Sequence, residues 1–189
     1  MKEYNAVSIR CSRITTYRYS TSFTLGIRSL ATRFQDPVYA LYAFVRFADE
    51  IVDTFNREDA ELLLAEFRRD TYQAIERGIS LNPILHSFQE VVNKYKIETE
   101  LIDTFLKSME MDLSDREYDQ QYYETYILGS AEVVGLMCLR VFCEGNEAQY
   151  QALKTPAMRL GSAFQKINFL RDLSNDYQIL GRVYFPHLN

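Results

Sequence analysis

The sequence predicts an all-α fold, and three observations predict it. Glycine and proline are scarce, seven and four in 189 residues, and they fall between periodic segments. Alternating strand patterns are absent, whereas apolar residues recur at spacings of three and four. Two long apolar stretches also carry polar residues at helical spacing, as buried helices with one functional face do.

Composition bounds the rest. With 47% hydrophobic and 25% charged residues, the chain reads as one globular domain over residues 1–189 with room for a sizeable core. A net charge of -5 without a basic run disfavours nucleic-acid binding. Cys11, Cys138 and Cys143 have no metal-ligand spacing with His86 or His187, and three cysteines without a signal peptide suggest a reducing cytoplasm. No apolar run is expected to reach transmembrane length; peripheral association with a membrane stays open. The aromatic content, 14% and all Tyr or Phe, suits either a packed core or a wall of π-faces around a cation.

The first segment, about 5–19, ends at Ser20-Thr-Ser22-Phe23, whose hydroxyls can cap the next helix or donate to an anion. Asp36-Pro37 is expected to open the following helix, with Asp at the N-cap and Pro at the first turn. Within that helix Tyr42, Arg46, Asp49 and Asp53 are spaced by four, three and four residues, so they share one face. Leu41, Phe44, Val45, Ala48, Ile51 and Val52 cover the others. Two desolvated carboxylates one turn apart cost several kcal/mol per ion unless compensated. A divalent cation compensates them, and Mg²⁺ fills its remaining positions with water and phosphate oxygens.

Asn56 is placed to cap a helix reaching Gly78, with Leu62, Leu63, Phe67, Tyr72 and Ile75 as its expected core face. Asn82-Pro83 starts another helix, to about Tyr95. A further helix spans about 98–113, where Asp112 either faces a cavity or caps. A long helical stretch covers 118–143. Glycine in its centre, Gly129 and Gly135, costs about 1 kcal/mol each relative to Ala, so close helix approach or a bend is expected there. The last stretch, 147–177, should split or kink at Pro156. It repeats the acidic device: Gln165, Asn168, Asp172 and Asp176 are spaced by three, four and four, among Leu160, Phe164, Ile167, Phe169, Leu170 and Leu173. One aspartate pair is common on a solvated helix; two, each in apolar surroundings, form a physical recipe for a Mg²⁺-diphosphate site. The segment 181–186 closes the chain as extended backbone.

These motifs resemble those of the squalene and phytoene synthase family, the head-to-head isoprenoid synthases, and in order along essentially the whole chain. Ser20-x-Ser22-Phe23 is similar to the family's serine motif. Tyr42-x-x-x-Arg46-x-x-Asp49-Glu-x-x-Asp53 resembles its first aspartate-rich motif, and residues 103–113 with Tyr126 and Gly135 resemble its central signature. Gln165-x-x-Asn168-x-x-Arg171-Asp172-x-x-x-Asp176, ending in Gly-Arg-Val-Tyr-Phe-Pro, resembles its second motif. The chain departs from the pattern at Ser130-Ala-Glu132, where members carry Val-Ala-Gly. Members also continue past the Tyr-Phe-Pro segment with helices that close the bundle and hold a diphosphate through a Tyr and an Arg. The 189 residues are therefore expected to form the N-terminal portion of an isoprenoid-synthase-type helical bundle around a central cavity.

The resemblance implies a prenyltransferase. Asp49, Asp53, Asp172 and Asp176 would hold Mg²⁺, with Mn²⁺ as the alternative. Arg46 and Arg171 would assist the diphosphate, and Tyr42 and Tyr126 would move a proton near it. Ser20, Ser22, Phe23, Gln165, Asn168 and Gly135 would contact the prenyl diphosphate. The acidic motif and the Gly-Arg-Val-Tyr ending look more like phytoene synthases, which condense two geranylgeranyl diphosphates. Squalene or dehydrosqualene synthesis from farnesyl diphosphate is the alternative, with NADPH needed only for a squalene-type product. A non-catalytic prenyl-diphosphate-binding or partner-binding homologue is the reading from another class.

Overall fold

The computed structural model describes residues 1–114 and 119–175, with side chains up to 172. The described residues are helices joined by short turns: α1 Lys2–Tyr19, α2 Thr21–Ser29, α3 Thr32–Thr54, α4 Arg57–Arg77, α5 Pro83–Tyr95, α6 Thr99–Met111, α7 Gln120–Ile127, a π-helical segment Leu128–Glu132, α8 Val133–Cys143 and α9 Glu147–Asn175. No strand occurs among them. Helix α3 is the axis of the bundle, packed by α1, α2, α4, α5, α6 and α8. Phe44, fully buried on α3, stacks on Phe88 of α5 with ring centroids 3.7 Å apart, and Phe67 and Phe105 close around it. Much of the aromatic content is therefore core.

Local chemistry sets the boundaries. Asn56 accepts from the Asp59 amide at the start of α4, and Gly78 ends that helix in the left-handed conformation at φ 66°. Asn82 accepts from the amides of Ile84 and Leu85, with Pro83 in the first turn of α5. Helix α3, however, starts at Thr32, five residues before Pro37. Asp36 does not cap it, because its carboxylate takes Nε and Nη2 of Arg13 at 2.7 and 2.5 Å. Gln35 meanwhile donates to Leu30 O at 2.9 Å at the end of α2. Pro37 sits buried in the second turn, where its ring leaves one backbone bond unmade.

Three further expectations change. On α4 the buried line is Ala60, Leu64, Phe67, Thr71 and Ala74, while Leu62 is 61% exposed. The seam uses small residues that let helices approach, and large size alone misplaced it. Pro156 does not divide the last stretch: α9 is continuous through it. The helix is anchored on both sides, by Tyr150, buried under the Arg140 guanidinium at 3.3 Å, and by Ala157 against Gly135. Finally, the helical run 120–143 is long and apolar enough to cross a membrane, contrary to the sequence expectation, but 56% of its most apolar window is buried inside the bundle. That burial is what a core helix shows.

The glycine-rich centre gives both effects expected of it. The helix bulges into a π turn at Leu128–Glu132. A Cβ on Gly129 would lie 2.5 Å from Ser108 Cβ on α6, and one on Gly161 of α9 would lie 2.7 Å from Ala131 O of the bulge. The π segment is thus gripped between α6 and α9. The extended segment 181–186 and Asp176 lie outside the described residues.

Candidate active site

The face of α3 that carries the first acidic motif lies near Ser20 at the start of α2, Asp112 at the end of α6 and Arg171 of α9. Asp49 lies at its centre. Burial pushes its carboxyl up to about 7; Asp53 one turn on, Asp112 at the end of α6 and Glu50 add to the rise, and Arg46 opposes it. Its side chain keeps 35% exposure, so this carboxylate is hemmed by protein yet reachable from solvent. Asp53 is exposed at the rim. Of the groups named around Asp49, Arg46 brings positive charge.

Arg46 does not supply that charge freely. Its Nη2 donates to Glu50 Oε2 at 2.5 Å, its Nη1 lies 3.9 Å from Asp49 Oδ2, and the guanidinium sits 4.4 Å from the Tyr19 ring centroid. Arg46 Nε is buried without a partner. Burial works against its charge, but the three carboxylates Glu50, Asp49 and Asp53 outweigh it and hold the group protonated. Glu50 and Tyr19 were not singled out from sequence, although Glu50 at four residues from Arg46 is an ordinary helical ion pair.

Tyr42, one turn before Arg46, joins three elements. Burial raises its hydroxyl; Ser20 and the cations Arg46 and Arg171 draw it back, while Asp49 adds to the rise. These groups therefore lie close enough to Tyr42 to act on its charge. The Phe23 ring packs 5.2 Å from the Tyr42 ring. Ser20 caps α2 by accepting from the Phe23 amide at 3.1 Å, and Ser22 is exposed 3.4 Å from Ser20 Oγ. The capping reading of the serine motif is thus met, at a position beside the acidic face.

On the opposite wall, Tyr126 is buried and donates to Asp112 Oδ2 at 2.8 Å. That bond settles the choice left for Asp112: it ends α6 and faces the cluster. Phe169 of α9 is buried against Tyr123 and Tyr126, with centroids 5.9 Å from each. This contact seats the second motif. Gln165, Asn168 and Asp172 are half-buried along α9, and Arg171 forks onto its neighbour Asp172 at 2.8 and 2.5 Å. Helix α9 packs chiefly on α8 and the π segment, and its Arg171 comes near enough to Tyr42 of α3 to act on that hydroxyl. Gly135 faces the Ala157 carbonyl, 3.2 Å from where its Cβ would be, so it serves helix approach. Glu132, the departure in the central signature, is pushed up by burial and drawn back by Lys166 and Ser162 of α9.

No group of three His, Cys, Asp or Glu residues arranged for a metal occurs among the described residues, a set without Asp176. The donor types nevertheless fit a hard cation: carboxylate oxygens on two helices, one of them, Asp49, raised to about 7 by burial first and by neighbouring carboxylates second. A separate cleft of about 370 Å³, lined by Arg57, Glu61, Leu64, Ala65, Glu110, Leu113 and Ser114, lies between α4 and α6 and shares none of these residues.

The all-α bundle has the fold of the isoprenoid synthases. A family model described as squalene/phytoene synthase matches residues 16–187, and the chain belongs to that family. It is 31% identical to a phytoene synthase of Rhodobacter capsulatus over 88% of this chain and 48% of the relative. It is 28% identical to a presqualene diphosphate synthase of Rhodopseudomonas palustris, over 88% of this chain and 58% of the relative. Among solved structures, a dehydrosqualene synthase in complex with ligand superposes with a TM-score of 0.83 at 27% identity, over 98% of this chain and 62% of that one. The chain thus spans about half the length of the curated relatives it matches.

Proposed function

We propose that the chain is the acidic-motif portion of a prenyltransferase that condenses two prenyl diphosphates head to head. The observation that carries this reading is the mutual influence of Asp49, Asp53 and Asp112, with Tyr126 bonded to Asp112 and Arg171 of the second acidic helix near Tyr42. Asp49, Asp53 and Asp172, with Asp176, would hold Mg²⁺ or Mn²⁺. When bound, the metal offsets the charge that grows on the diphosphate as the allylic C–O bond breaks. Arg171, exposed beside Asp172, donates to a phosphate oxygen, and Arg46 keeps Asp49 and Glu50 oriented. Closing a cyclopropylcarbinyl diphosphate requires a proton to leave. A proton taken at Tyr126 Oη passes to Asp112 Oδ2, 2.8 Å away. The rings of Phe23, Tyr42, Tyr123 and Phe169 keep water from the allylic cation.

The substrate we infer is geranylgeranyl diphosphate, with phytoene as the end product, supported by the phytoene synthase relatives and the form of the acidic motif. The presqualene and dehydrosqualene synthases among the similar proteins support farnesyl diphosphate as the second reading, with NADPH required only if a squalene-type product forms. The test is incubation of this chain, and of one extended to the relatives' length, with each labelled prenyl diphosphate and Mg²⁺, followed by chromatography. A C40 hydrocarbon from the extended chain supports the first reading and a C30 product the second. Mg²⁺-dependent binding without any product supports the non-catalytic homologue.

A further inference from the structure

Helix α1 is built inside out. Its inward face carries Ser8, Ser12 and Thr16, each fully buried. Ser12 and Ser87 hydroxyls bond at 2.7 Å, and Thr16 donates to Ser12 O at 2.9 Å. The hydroxyls are small enough to let α1 lie against α3 and α5. Ile9 packs against the core, but Val7, Ile14 and Tyr17 lie on the outward face. Val7, Arg10, Ile14 and Tyr17 are exposed at spacings of three, four and three, so they form one stripe, with Arg18 beside it. Arg28 of α2 lies 5.1 Å from the Tyr17 ring centroid and extends the stripe.

The charge pattern is equally uneven. Residues 1–33 hold Lys2, Arg10, Arg13, Arg18, Arg28 and Arg33 against the single acid Glu3, which is +5 in a chain of net -5; the remaining residues therefore carry -10. Arg13 and Arg33 pair with Asp36 and Glu144, which leaves Arg10, Arg18 and Arg28 as the arginines of the stripe. Apolar side chains, an amphipathic tyrosine and interleaved arginines on one helix face are what an anionic lipid surface attracts: the apolar groups enter the headgroup boundary and the arginines pair with phosphates. A second protein copy fits less well, because the arginines break the stripe where a stable interface needs a continuous apolar centre.

We propose that this face of α1, extended by Arg28, docks on a membrane carrying anionic lipids, with the helix lying in the interface. The test is vesicle flotation of the chain with phosphatidylcholine alone and with about one-third phosphatidylglycerol. Binding is expected only to the anionic vesicles and should weaken with salt. Arg10→Glu with Arg18→Glu should lower partition about thirtyfold or more, and Ile14→Ser about tenfold. Both variants change exposed side chains outside the acidic site and should unfold at the same temperature as the parent. Equal binding to neutral vesicles, no binding to either, or unchanged binding by the double arginine variant would each overturn the proposal. So would a concentration-dependent dimer, seen by light scattering, that those variants dissolve while vesicle binding stays absent: the face would then belong to a second copy.

Discussion

Helices α3 and α9 carry the same device, aspartates on a shared face among apolar residues, and the structure treats them differently. On α3 the surrounding apolar residues are core: Leu41, Phe44, Ala48 and Val52 are buried. On α9 the docking is concentrated elsewhere. Arg140 bonds Glu98 and Glu147 and covers Tyr150, Gly161 seats against the π bulge, and Phe169 fills the tyrosine pair. Leu160, Phe164, Ile167 and Leu170 are exposed by 57 to 64%. Helical spacing decides which residues share a face. Other elements decide whether that face is covered, and this information is not contained in the stretch itself.

Truncating each apolar face gives the largest contrast. Phe44→Ala should destabilise the chain by about 4 kcal/mol in denaturant unfolding, through loss of the ring stack and the cavity left behind. Phe164→Ala, measured on the same 189-residue chain, should change stability by less than about 0.5 kcal/mol. Similar losses at both positions would mean that α9 is buried like α3.

Metal dependence follows in size. Chelating Mg²⁺, or replacing Asp49 by Asn, should weaken binding of a prenyl diphosphate about a hundredfold in calorimetry, since clustered carboxylates and an anionic ligand repel without a cation. Binding that survives chelation removes the metal bridge from the proposed mechanism.

Glycine tests where α9 is truly seated. Gly161→Ala forces a methyl towards Ala131 O and should cost about 2 kcal/mol, whereas Gly26→Ala, with open space around it, should not destabilise. Equal effects would show that the π bulge yields easily.

The smallest effect is in pH. The Asp49 carboxyl, raised to about 7 in the fold, keeps its proton where the unfolded chain would lose it. Stability should therefore fall as pH rises from about 4 to about 7 and level off above. Because the side chain is partly exposed, solvent screening limits the effect to about 1 kcal/mol. Asp49→Asn should remove it, leaving the metal-free chain as stable as the parent or more so above pH 7. A large loss of stability in that variant would instead assign Asp49 to a structural ion pair.

The fold was legible, and so was the helix on which each described candidate residue sits, because helical periodicity and caps are local. Asn56, Gly78 and Asn82-Pro83 act within four residues of themselves. The start of α3 was misplaced because the competing partner of Asp36, Arg13, is on another helix. Asp112 could be read two ways until Tyr126, fourteen residues later, came within hydrogen-bond distance. The inverted polarity of α1 was missed for the same reason: a stripe of hydroxyls reads as solvated until two neighbouring helices cover it.

The central claim is that the acidic faces of α3 and α9 form one site. A double-mutant cycle tests it most directly, measuring Mg²⁺-dependent binding of geranylgeranyl diphosphate to the parent, Asp49→Asn, Asp172→Asn and the double variant by calorimetry. If both carboxylates hold the same metal-diphosphate group, the double variant should bind about as weakly as the weaker single variant, a strongly non-additive result. Losses that simply add would contradict the claim and make the two helices independent acidic faces.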